Sequence, residues 1–353
     1  MRIKTARTVA LGLFLTACSV AAAEPTTTTT TTTTLPTTTT LPATTTSTTL
    51  GLDLSPVTGL PLEDPDAGER HLLAVKIDNH PRAVPQSGID QADLVIEVLV
   101  EGVTRFLTLW QESESEYLGP MRSGRPTDSH LLAALNKPTF ARSGAQEWVQ
   151  AVTVLKDIHQ IGEIGRPATF RISGRNAPHN LYVNTIELRN VAEARGHSDE
   201  PPAPLWSFGP MPADADRASL ITVRFGGNVV DWEWDAGARA WLRTAYGQES
   251  MHRDEDGNES RIGVPVLIAL HVEQYVEPVP PGWTGQALPS SRTLGSGTAQ
   301  IFADGKVIEG IWEREEETDW FTLTDENGES MQVPPGRSWV SLVPNTGGLT
   351  YEP

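Results

Sequence analysis

The chain has 353 residues, of which 27 are basic and 45 are acidic, and its formal net charge is −18. A surface this acidic argues against generic nucleic-acid binding and against docking on anionic lipid head groups. The chain holds one cysteine, so an internal disulfide is excluded. Its stability must therefore come from a buried core, which this length allows.

The N-terminus shows the order of an export signal. Three basic residues within the first seven precede an apolar run, residues 9–16, that is too short to span a bilayer. At its end, Leu15-Thr16-Ala17-Cys18 resembles the lipobox of bacterial lipoproteins, in which cleavage leaves a lipid-modified cysteine as the first residue. Cleavage after Ala21-Ala22-Ala23 is the alternative and would release a soluble protein. We predict that residues 1–18 are a lipoprotein signal peptide and that lipid on Cys18 anchors an extracytoplasmic protein to the cell membrane.

Residues 19–52 are predicted to form a disordered linker. Threonine occupies 18 of the 24 positions from 26 to 49, and such a segment cannot bury enough apolar area to offset its ordering entropy. The composition also fits an O-glycosylated stalk, although a passive spacer is the simpler interpretation. No stretch after Cys18 approaches the length of a transmembrane helix, so the lipid is the expected anchor.

Residues 53–200 alternate the patterns of strands and helices. Short apolar, β-branched runs bounded by turn-forming residues predict strands at 71–77, 93–100 and 104–110. Apolar residues at helical spacing predict three helices. The first ends near residue 135, the second spans 146–156 with Leu155 facing inward, and the third begins at Asn184 or Thr185. The alternation predicts an N-terminal mixed α/β domain, in the α/β or α+β class.

A β-rich C-terminal domain is predicted over residues 219–353. Residues 201–218 hold five prolines and are predicted to be an irregular connection between two cores. Strand patterns follow at 220–225, 232–234, 239–243, 264–272, 300–303 and 339–343, and Asp304-Gly305 is typical of a hairpin turn. Eight of the ten tryptophans fall at or after Trp206. We expect them to fill the β core, the alternative being an exposed carbohydrate or partner surface.

Familiar catalytic motifs are absent from the sequence, including the Walker loop, G-x-G-x-x-G, H-E-x-x-H and G-x-S-x-G. Polar residues instead gather at strand ends and in Gly/Pro-rich loops of the first domain, where functional groups are commonly displayed. Residues 117–180 carry eight basic and only four acidic side chains. Because guanidinium groups match carboxylates and phosphates, this excess predicts an anion-binding pocket. The residues predicted to bind are Arg105, Arg122, Ser123, Arg125 and Asn180.

Internal ion pairing is the alternative, with Glu97 or Glu101 neutralising the arginines to hold loops in place. Glu101 with His80 or His179 is also a candidate general acid/base pair, since a carboxylate and an imidazole are the usual proton carriers near neutral pH. No spacing compels a mechanism, so catalytic activity is left open. No ligand spacing indicates a metal site, and no cofactor is predicted.

Several long motifs carry a resemblance to a known family. They are AVKIDNHPRAVPQSGIDQADLVIEVLVEGVTRFLTLW within residues 71–110, GPMRSGRP at 119–126, NAPHNLYVN at 176–184 and GSGTAQIFADGKVIEGIWER at 295–314. Together they resemble the YerB-like family of bacterial lipoproteins, whose members carry a domain of unknown function, DUF3048. The resemblance implies a lipid-anchored, two-domain envelope protein, and it supplies no reaction, cofactor or catalytic residue.

We therefore expect an envelope protein that binds an anionic cell-envelope component, such as a cell-wall polymer, or a protein partner through an arginine-rich face of its N-terminal domain. A cell-wall hydrolase or lyase that uses Glu101 with His80 or His179 is one alternative, and a structural scaffold is another. Convergence of these side chains on an open cleft would favour binding or catalysis; the set is Glu101, Arg105, Arg122, Arg125 and His179. Arginines paired off beneath a covered surface would favour the scaffold.

Overall fold

The structure, a computed structural model, describes residues 53–197 and 200–353. The predicted signal peptide, the lipidation site Cys18 and the predicted linker 19–52 lie outside these residues. Among the helices that the structure describes, none is long and apolar enough to cross a membrane.

Short helices and many strands make up the described chain. The α-helices are α1 Pro65–Gly68, α2 Pro126–Leu132, α3 Glu147–Leu155 and α4 Thr185–Ala194, and two short 3₁₀ helices span Pro81–Ala83 and Ile89–Gln91. The strands before residue 200 are β1 Leu73–Asp78, β2 Leu94–Leu99, β3 Thr104–Trp110, β4 Thr139–Ala141, β5 His159–Ile161, β6 Thr169–Arg171 and β7 Leu181–Val183. Those after residue 200 are β8 Asp216–Arg217, β9 Leu220–Phe225, β10 Asn228–Asp235, β11 Ala240–Ala245, β12 Gln248–Glu249, β13 Met251–Arg253, β14 Glu259–Arg261, β15 Gly263–Val264, β16 Val266–Val272, β17 Gln274–Glu277, β18 Leu288–Ser291, β19 Gly295–Ala303, β20 Lys306–Arg314, β21 Thr322–Thr324, β22 Ser338–Pro344 and β23 Gly348–Glu352.

These elements confirm the predicted fold class, a mixed N-terminal part followed by a β-rich C-terminal part. Strands β3 and β9 have the predicted bounds. Asn184 caps α4, its side chain accepting the Glu187 N–H at 3.1 Å. The Asp304-Gly305 turn joins β19 to β20, as predicted. The helix prediction for 146–156 is wrong at Leu155, which is 80% exposed, whereas Thr153 is buried.

One sheet runs through both parts of the chain. Its strand order is β21-β20-β19-β16-β22-β2-β3-β1-β4-β5, with β8 beside β20. The two parts meet where β22 pairs in parallel with β2, from Leu94 opposite Ser338 to Glu97 opposite Ser341. Backbone hydrogen bonds therefore cross from the N-terminal part to the C-terminal part in the middle of this sheet.

The central strands of the large sheet are buried on both faces. Every residue of β1, β2 and β3 is buried, which explains their nearly continuous apolar runs. Because side chains alternate along a strand, Val95 and Leu99 enter one core cluster while Ile96 and Val98 enter another. Glu97 shares the face of Val95 and Leu99, so the first cluster has a carboxylate within it.

A second sheet packs on this face. Its order is β12-β11-β10-β9-β23, with β15 beside β11. The core between the sheets contains Trp232, Trp241 and Trp339, each at most 1% exposed, which confirms the core prediction for these tryptophans. Trp283, in contrast, is 41% exposed.

The two cores expected on either side of residues 201–218 are merged in the structure. The cluster between the sheets takes Val95 and Phe106 from the N-terminal part and Trp232 and Trp339 from the C-terminal part. The merger follows from the β2–β22 pairing, which joins the two parts edge to edge. The domain boundaries remain a prediction from the sequence, with an N-terminal domain at 53–200, a connection at 201–218 and a C-terminal domain at 219–353.

Candidate functional site

The candidate site lies where β1 ends and β3 begins. Asp78 is the last residue of β1 and pairs in register with Arg105 of β3. Residues 119–126 run beside the end of β1, where Pro120 O accepts the Asp78 N–H at 2.9 Å. Strand β7 pairs with the other side of this segment and brings His179, two residues before β7, to the same edge. Side chains distant in sequence are thereby collected at one place.

Asp78 is the centre of one half of the site. It is 1% exposed, and its Oδ1 accepts the His80 N–H at 3.0 Å. Its Oδ2 lies 2.7 Å from His179 Nδ1 and 3.3 Å from Arg122 Nε. A carboxylate is an acceptor only, so His179 donates its Nδ1 proton to Asp78. This bond fixes the orientation of the His179 ring.

The two histidines of the site stack on each other, with ring centroids 4.9 Å apart. His80 Nδ1 accepts the Arg82 N–H at 3.1 Å, so a neutral His80 carries its proton on Nε2. Burial, followed by the neighbouring His179, holds the pKa of His80 below its ordinary value. His179 Nε2 has no hydrogen-bond partner among residues 53–197 and 200–353. It is the one ring nitrogen of His179 left for a ligand.

Glu101 anchors the other half of the site. It accepts two hydrogen bonds from Arg125, one from Nε at 2.5 Å and one from Nη2 at 2.9 Å. It also lies 3.7 Å from Arg105 Nη2. Burial is the largest single influence on Glu101 and opposes its ionisation, but the hydrogen bonds and charge of Arg125, together with the charge of Arg105, outweigh burial and lower the pKa of Glu101. Glu101 therefore stays ionised near neutral pH and pairs with arginines, not with a histidine, which disfavours it as a proton carrier.

Arg105 links the two halves. Its Nη1 donates to Ser123 O at 2.8 Å, and its side chain is 7% exposed. Burial, followed by repulsion from Arg125, lowers the pKa of Arg105 to about 10. The like charges around Arg105 are thus only partly neutralised.

We call Arg105, Arg122 and Arg125, with Asp78 and Glu101, the arginine face. Its three guanidinium groups meet two carboxylates, which leaves one formal positive charge in a chain of net charge −18. The Arg122 side chain is 24% exposed. Within the part of the chain that the structure describes, neither terminal nitrogen of Arg122 has a hydrogen-bond partner. The face can therefore accept an oxyanion at Arg122 without breaking an existing bond.

A buried ion pair supports the face from below. Lys76 Nζ and Asp128 Oδ1 are 2.6 Å apart, and both side chains are fully buried. Asp128 Oδ2 also accepts the Arg125 N–H at 2.7 Å. Burial lowers the pKa of Lys76, while Asp128 opposes that shift. This pair ties β1 to the start of α2 and fixes the segment that carries Arg122 and Arg125.

A second ionic network, which the sequence did not reveal, lies between the two sheets. Glu97 Oε1 accepts from Arg243 Nη2 at 2.8 Å and from the Thr104 hydroxyl at 2.7 Å, and Glu97 Oε2 accepts from Trp339 Nε1 at 3.1 Å. The Arg243 guanidinium also lies 5.4 Å from the centre of the Phe106 ring. The one available signal was Glu97 itself, a charge in the middle of an apolar strand. Its partner lies 146 positions away along the chain.

The C-terminal part also holds the loop that follows Asp78. The Tyr246 hydroxyl, in the turn between β11 and β12, donates to Asn79 O at 2.6 Å. Burial, followed by Glu97, raises the pKa of Tyr246 to about 12, so this donor keeps its proton. The Asn79 side chain donates to Thr104 Oγ1 at 2.6 Å. Neither Tyr246 nor Asn79 was among the predicted site residues.

The remaining predicted residues contribute less. Ser123 reaches the arginines through its carbonyl oxygen. Asn180 Oδ1 accepts from Arg171 at 2.8 Å, and Asn180 Nδ2 donates to Ile172 O at 3.3 Å, so this amide braces its own loop. Among the described residues, no group of three or more His, Cys, Asp or Glu side chains could hold a metal ion.

Fold and sequence together define a family. The N-terminal domain of the family described as "Protein of unknown function (DUF3048)" matches residues 57–198, and its C-terminal domain matches residues 221–340. The chain belongs to this family.

Two similar proteins come from Bacillus subtilis. The chain is 26% identical over 310 residues to a protein of strain 168 named "Putative lipoprotein YerB". The aligned region covers 82% of this chain and 86% of that protein. It also resembles the crystal structure of the YerB protein, with a TM-score of 0.71, 24% identity, and coverage of 84% of this chain and 99% of that one. The structural likeness supports the fold.

Proposed function

We propose that this protein is a lipid-anchored, extracytoplasmic envelope protein that binds an anionic envelope component through the arginine face. The name of the Bacillus subtilis relative, a lipoprotein, supports the anchor, as do the sequence around Cys18 and its position at the end of an export signal. The function of the folded part rests on the arginine face.

The main support for anion binding is the unused hydrogen-bonding capacity of Arg122. The carboxylate of Asp78 lies 3.3 Å from Arg122 Nε, and the terminal nitrogens of this partly exposed guanidinium have no hydrogen-bond partner in the described chain. A guanidinium without partners for its terminal donors is suited to bidentate binding of a carboxylate or phosphate. If Arg122 had a purely structural role, we would expect a carboxylate on its terminal nitrogens, as Glu101 accepts from the terminal Nη2 of Arg125 at 2.9 Å.

The net charge of the whole protein restricts the class of anionic ligand that it can bind. A long polyanion would be repelled by the surface of a chain with net charge −18, whereas a local anionic group meets the positive face at short range. We therefore propose a ligand that presents a compact oxyanion, not a uniformly charged polymer such as nucleic acid.

Calorimetric titration of the full chain with inorganic sulfate tests this function. The Arg122→Gln variant is expected to have an affinity for sulfate about tenfold or more lower, which corresponds to the loss of one charge-assisted hydrogen bond. The matched control is Arg239→Gln, which removes the same charge from a side chain that is 74% exposed and pairs with Asp304. Equal losses in the two variants, or no binding by the unaltered protein, would contradict the proposal.

Fractionation tests the anchor. Cys18→Ala is expected to move the protein from the membrane fraction to the medium, because the lipid would be lost. Ser47→Ala, in the predicted linker, is the control and should stay with the membrane. Membrane retention of Cys18→Ala would show that something else holds the protein there.

A further inference from the structure

A cavity of about 770 Å³ lies between the proline-rich connection and the chain around β21. It is lined mainly by residues 203–207 and 318–324, and no residue of the arginine face borders it. Its volume is within the range of about 300–1,000 Å³ that is typical of small-molecule sites. Part of its wall is apolar, with Leu205, Phe321 and Leu323 each at most 5% exposed. The cavity thus has the size and the apolar wall of a binding site.

Two tryptophans from distant segments line this cavity together. Trp206 lies in the proline-rich connection, and Trp320 lies in the turn between β20 and β21. Their ring centroids are 5.8 Å apart, and the planes of the two rings meet at 68°. We call these two residues the tryptophan pair. It brings two flat apolar surfaces, set at an angle, to one cavity.

The tryptophan pair also has unused hydrogen-bond donors. The indole N–H of each member is buried without a hydrogen-bond partner in the described chain, whereas the neighbouring Trp312 donates to His271 O at 2.9 Å. Trp232 and Trp241 also lack such a partner, but they are 0% exposed in the core between the two sheets, which a ligand does not reach. The tryptophan pair instead borders a cavity, so a ligand that brings acceptor atoms can remove the cost of the unpaired donors.

Hydrogen bonds hold both segments that carry the tryptophan pair. Val333 N–H donates to Ser207 O at 2.9 Å, one residue after the first tryptophan. Arg314, which is 1% exposed, donates from Nε to Asp319 O at 2.7 Å, one residue before the second. The wall of the cavity is therefore formed before a ligand arrives, which lowers the entropy cost of binding.

The polar groups of the lining indicate an uncharged, hydroxyl-rich ligand. Among the described residues that line the cavity, Asp319 carries the one charged side chain, so an oxyanion has no cation to meet there. Five hydroxyl side chains share the lining, namely Ser207, Thr318, Thr322, Thr324 and Ser330. A ligand hydroxyl both donates and accepts, so it can serve the indole donors as well as the carboxylate, whereas the prolines of a proline-rich peptide supply acceptors alone. A sugar ring adds an apolar C–H face that can lie against an indole.

We propose that the tryptophan pair forms a binding site for an uncharged oligosaccharide, separate from the arginine face. The inference goes beyond the proposed function and does not rest on it, because the two sites share no residue. The protein then has one site for a compact oxyanion and another for a neutral glycan.

NMR of the full chain labelled with ¹⁵N tests the site without altering it. The probes are two uncharged tetrasaccharides, chitotetraose and maltotetraose. We expect at least one of them to shift the indole N–H resonances of Trp206 and Trp320 in a saturable way. The resonance of Trp110, which is 0% exposed and donates to Thr108 Oγ1 at 2.9 Å, should not move. Trp→Phe variants assign the resonances.

A variant of the tryptophan pair measures its contribution to affinity. Trp320→Ala is expected to bind the same tetrasaccharide about tenfold more weakly, because an aromatic contact is lost. The matched control is Trp283→Ala, which removes a 41% exposed tryptophan outside the cavity lining and should bind as the unaltered protein does. If Trp320→Ala fails to fold, Trp320→Phe decides, since it keeps a ring and loses the N–H, and its affinity should fall by a smaller factor.

Three results would overturn the proposal. The first is that neither tetrasaccharide shifts the two indole resonances at its solubility limit. The second is an equal loss of affinity in the Trp320 and Trp283 variants. The third is a shift caused by a proline-rich peptide and by neither saccharide, which would assign the cavity to a peptide. Arg122→Gln should leave saccharide binding unchanged, so failure of the arginine face and failure of this site are distinguishable.

Discussion

Arg122 and Arg243 each lie against a buried carboxylate, yet the structure uses them differently. Arg243 is 3% exposed, and both of its terminal nitrogens are bonded, Nη1 to Ser250 Oγ at 2.9 Å and Nη2 to Glu97 at 2.8 Å. Arg122 is 24% exposed, and in the described chain its terminal nitrogens have no such partners. The same residue type therefore holds the fold in one place and is available to a ligand in the other.

An arginine's role depends on how many of its hydrogen-bond donors the protein itself occupies. A buried pair contributes little net stability but is costly to break, because the remaining charge is stranded. The pair of Arg122 with Asp78 should be less costly to break, because Arg122 is partly exposed and Asp78 keeps hydrogen bonds from His179 and from the His80 N–H, and the free donors of Arg122 can be used for binding.

The largest effect is expected from dividing the chain between the two parts. Separate expression of residues 53–200 and 201–353 removes the β2–β22 pairing and splits the core that contains Glu97 and Arg243. We expect neither fragment to unfold cooperatively alone, as measured by circular dichroism during heating. A cooperative transition in both fragments would restore the two independent cores that the proline-rich connection suggested.

Arg243→Met should be the most destabilising single change. It leaves Glu97 as an uncompensated buried charge, so we expect a loss of about 3–5 kcal/mol in the free energy of unfolding, measured with chemical denaturant. Arg239→Gln, on an exposed pair, is the control and should change stability by less than about 0.5 kcal/mol. Wild-type stability in Arg243→Met would mean that Glu97 is neutral in the folded protein.

Arg125→Gln should have a smaller effect that depends on pH. Glu101 is 40% exposed, so we expect a loss of only about 0.5–1 kcal/mol near neutral pH. The folded pKa of Glu101 lies below its ordinary value of 4.5, so its contribution is present above that pH and is lost as pH falls through the folded pKa. The stability difference from wild type should therefore shrink on acidification. A difference that grows toward acid pH would mean that Glu101 does not depend on Arg125.

Arg122→Gln should have the smallest effect on stability. Asp78 keeps its bonds from His179 and from the His80 N–H, so the free energy of unfolding should fall by less than about 0.5 kcal/mol. The same variant has the largest expected effect on sulfate binding. A loss comparable to that of Arg243→Met would place Arg122 with the structural arginines.

The elements that the sequence predicted well are those with a local signal. Strand β3 and the Asn184 cap follow from a β-branched run and a side chain that accepts a backbone N–H three residues on. Leu155 was misplaced because Thr153 takes the buried position of α3, where its hydroxyl lies 2.6 Å from Ser129 Oγ. That contact lies across two helices and leaves no trace in the spacing of apolar residues.

The candidate site was predicted in composition but not in pairing. The excess of arginine pointed to Arg122 and Arg125, and the loop pattern to His80 and His179. Which carboxylate meets which cation depends on β1 lying between β3 and the segment that carries Arg122. Asp78, not Glu101, orients His179 for this reason.

The most direct test is to locate a bound oxyanion by crystallography. Crystals of the protein soaked in selenate, which has the charge and shape of sulfate and an anomalous signal, should show an anomalous peak within hydrogen-bonding distance of the Arg122 terminal nitrogens. Crystals of Arg122→Gln should lack that peak, and Arg243 should keep its bonds to Glu97 and Ser250 in both. An empty arginine face in a well-occupied soak, or a carboxylate of the protein bonded to the Arg122 terminal nitrogens, would contradict the account.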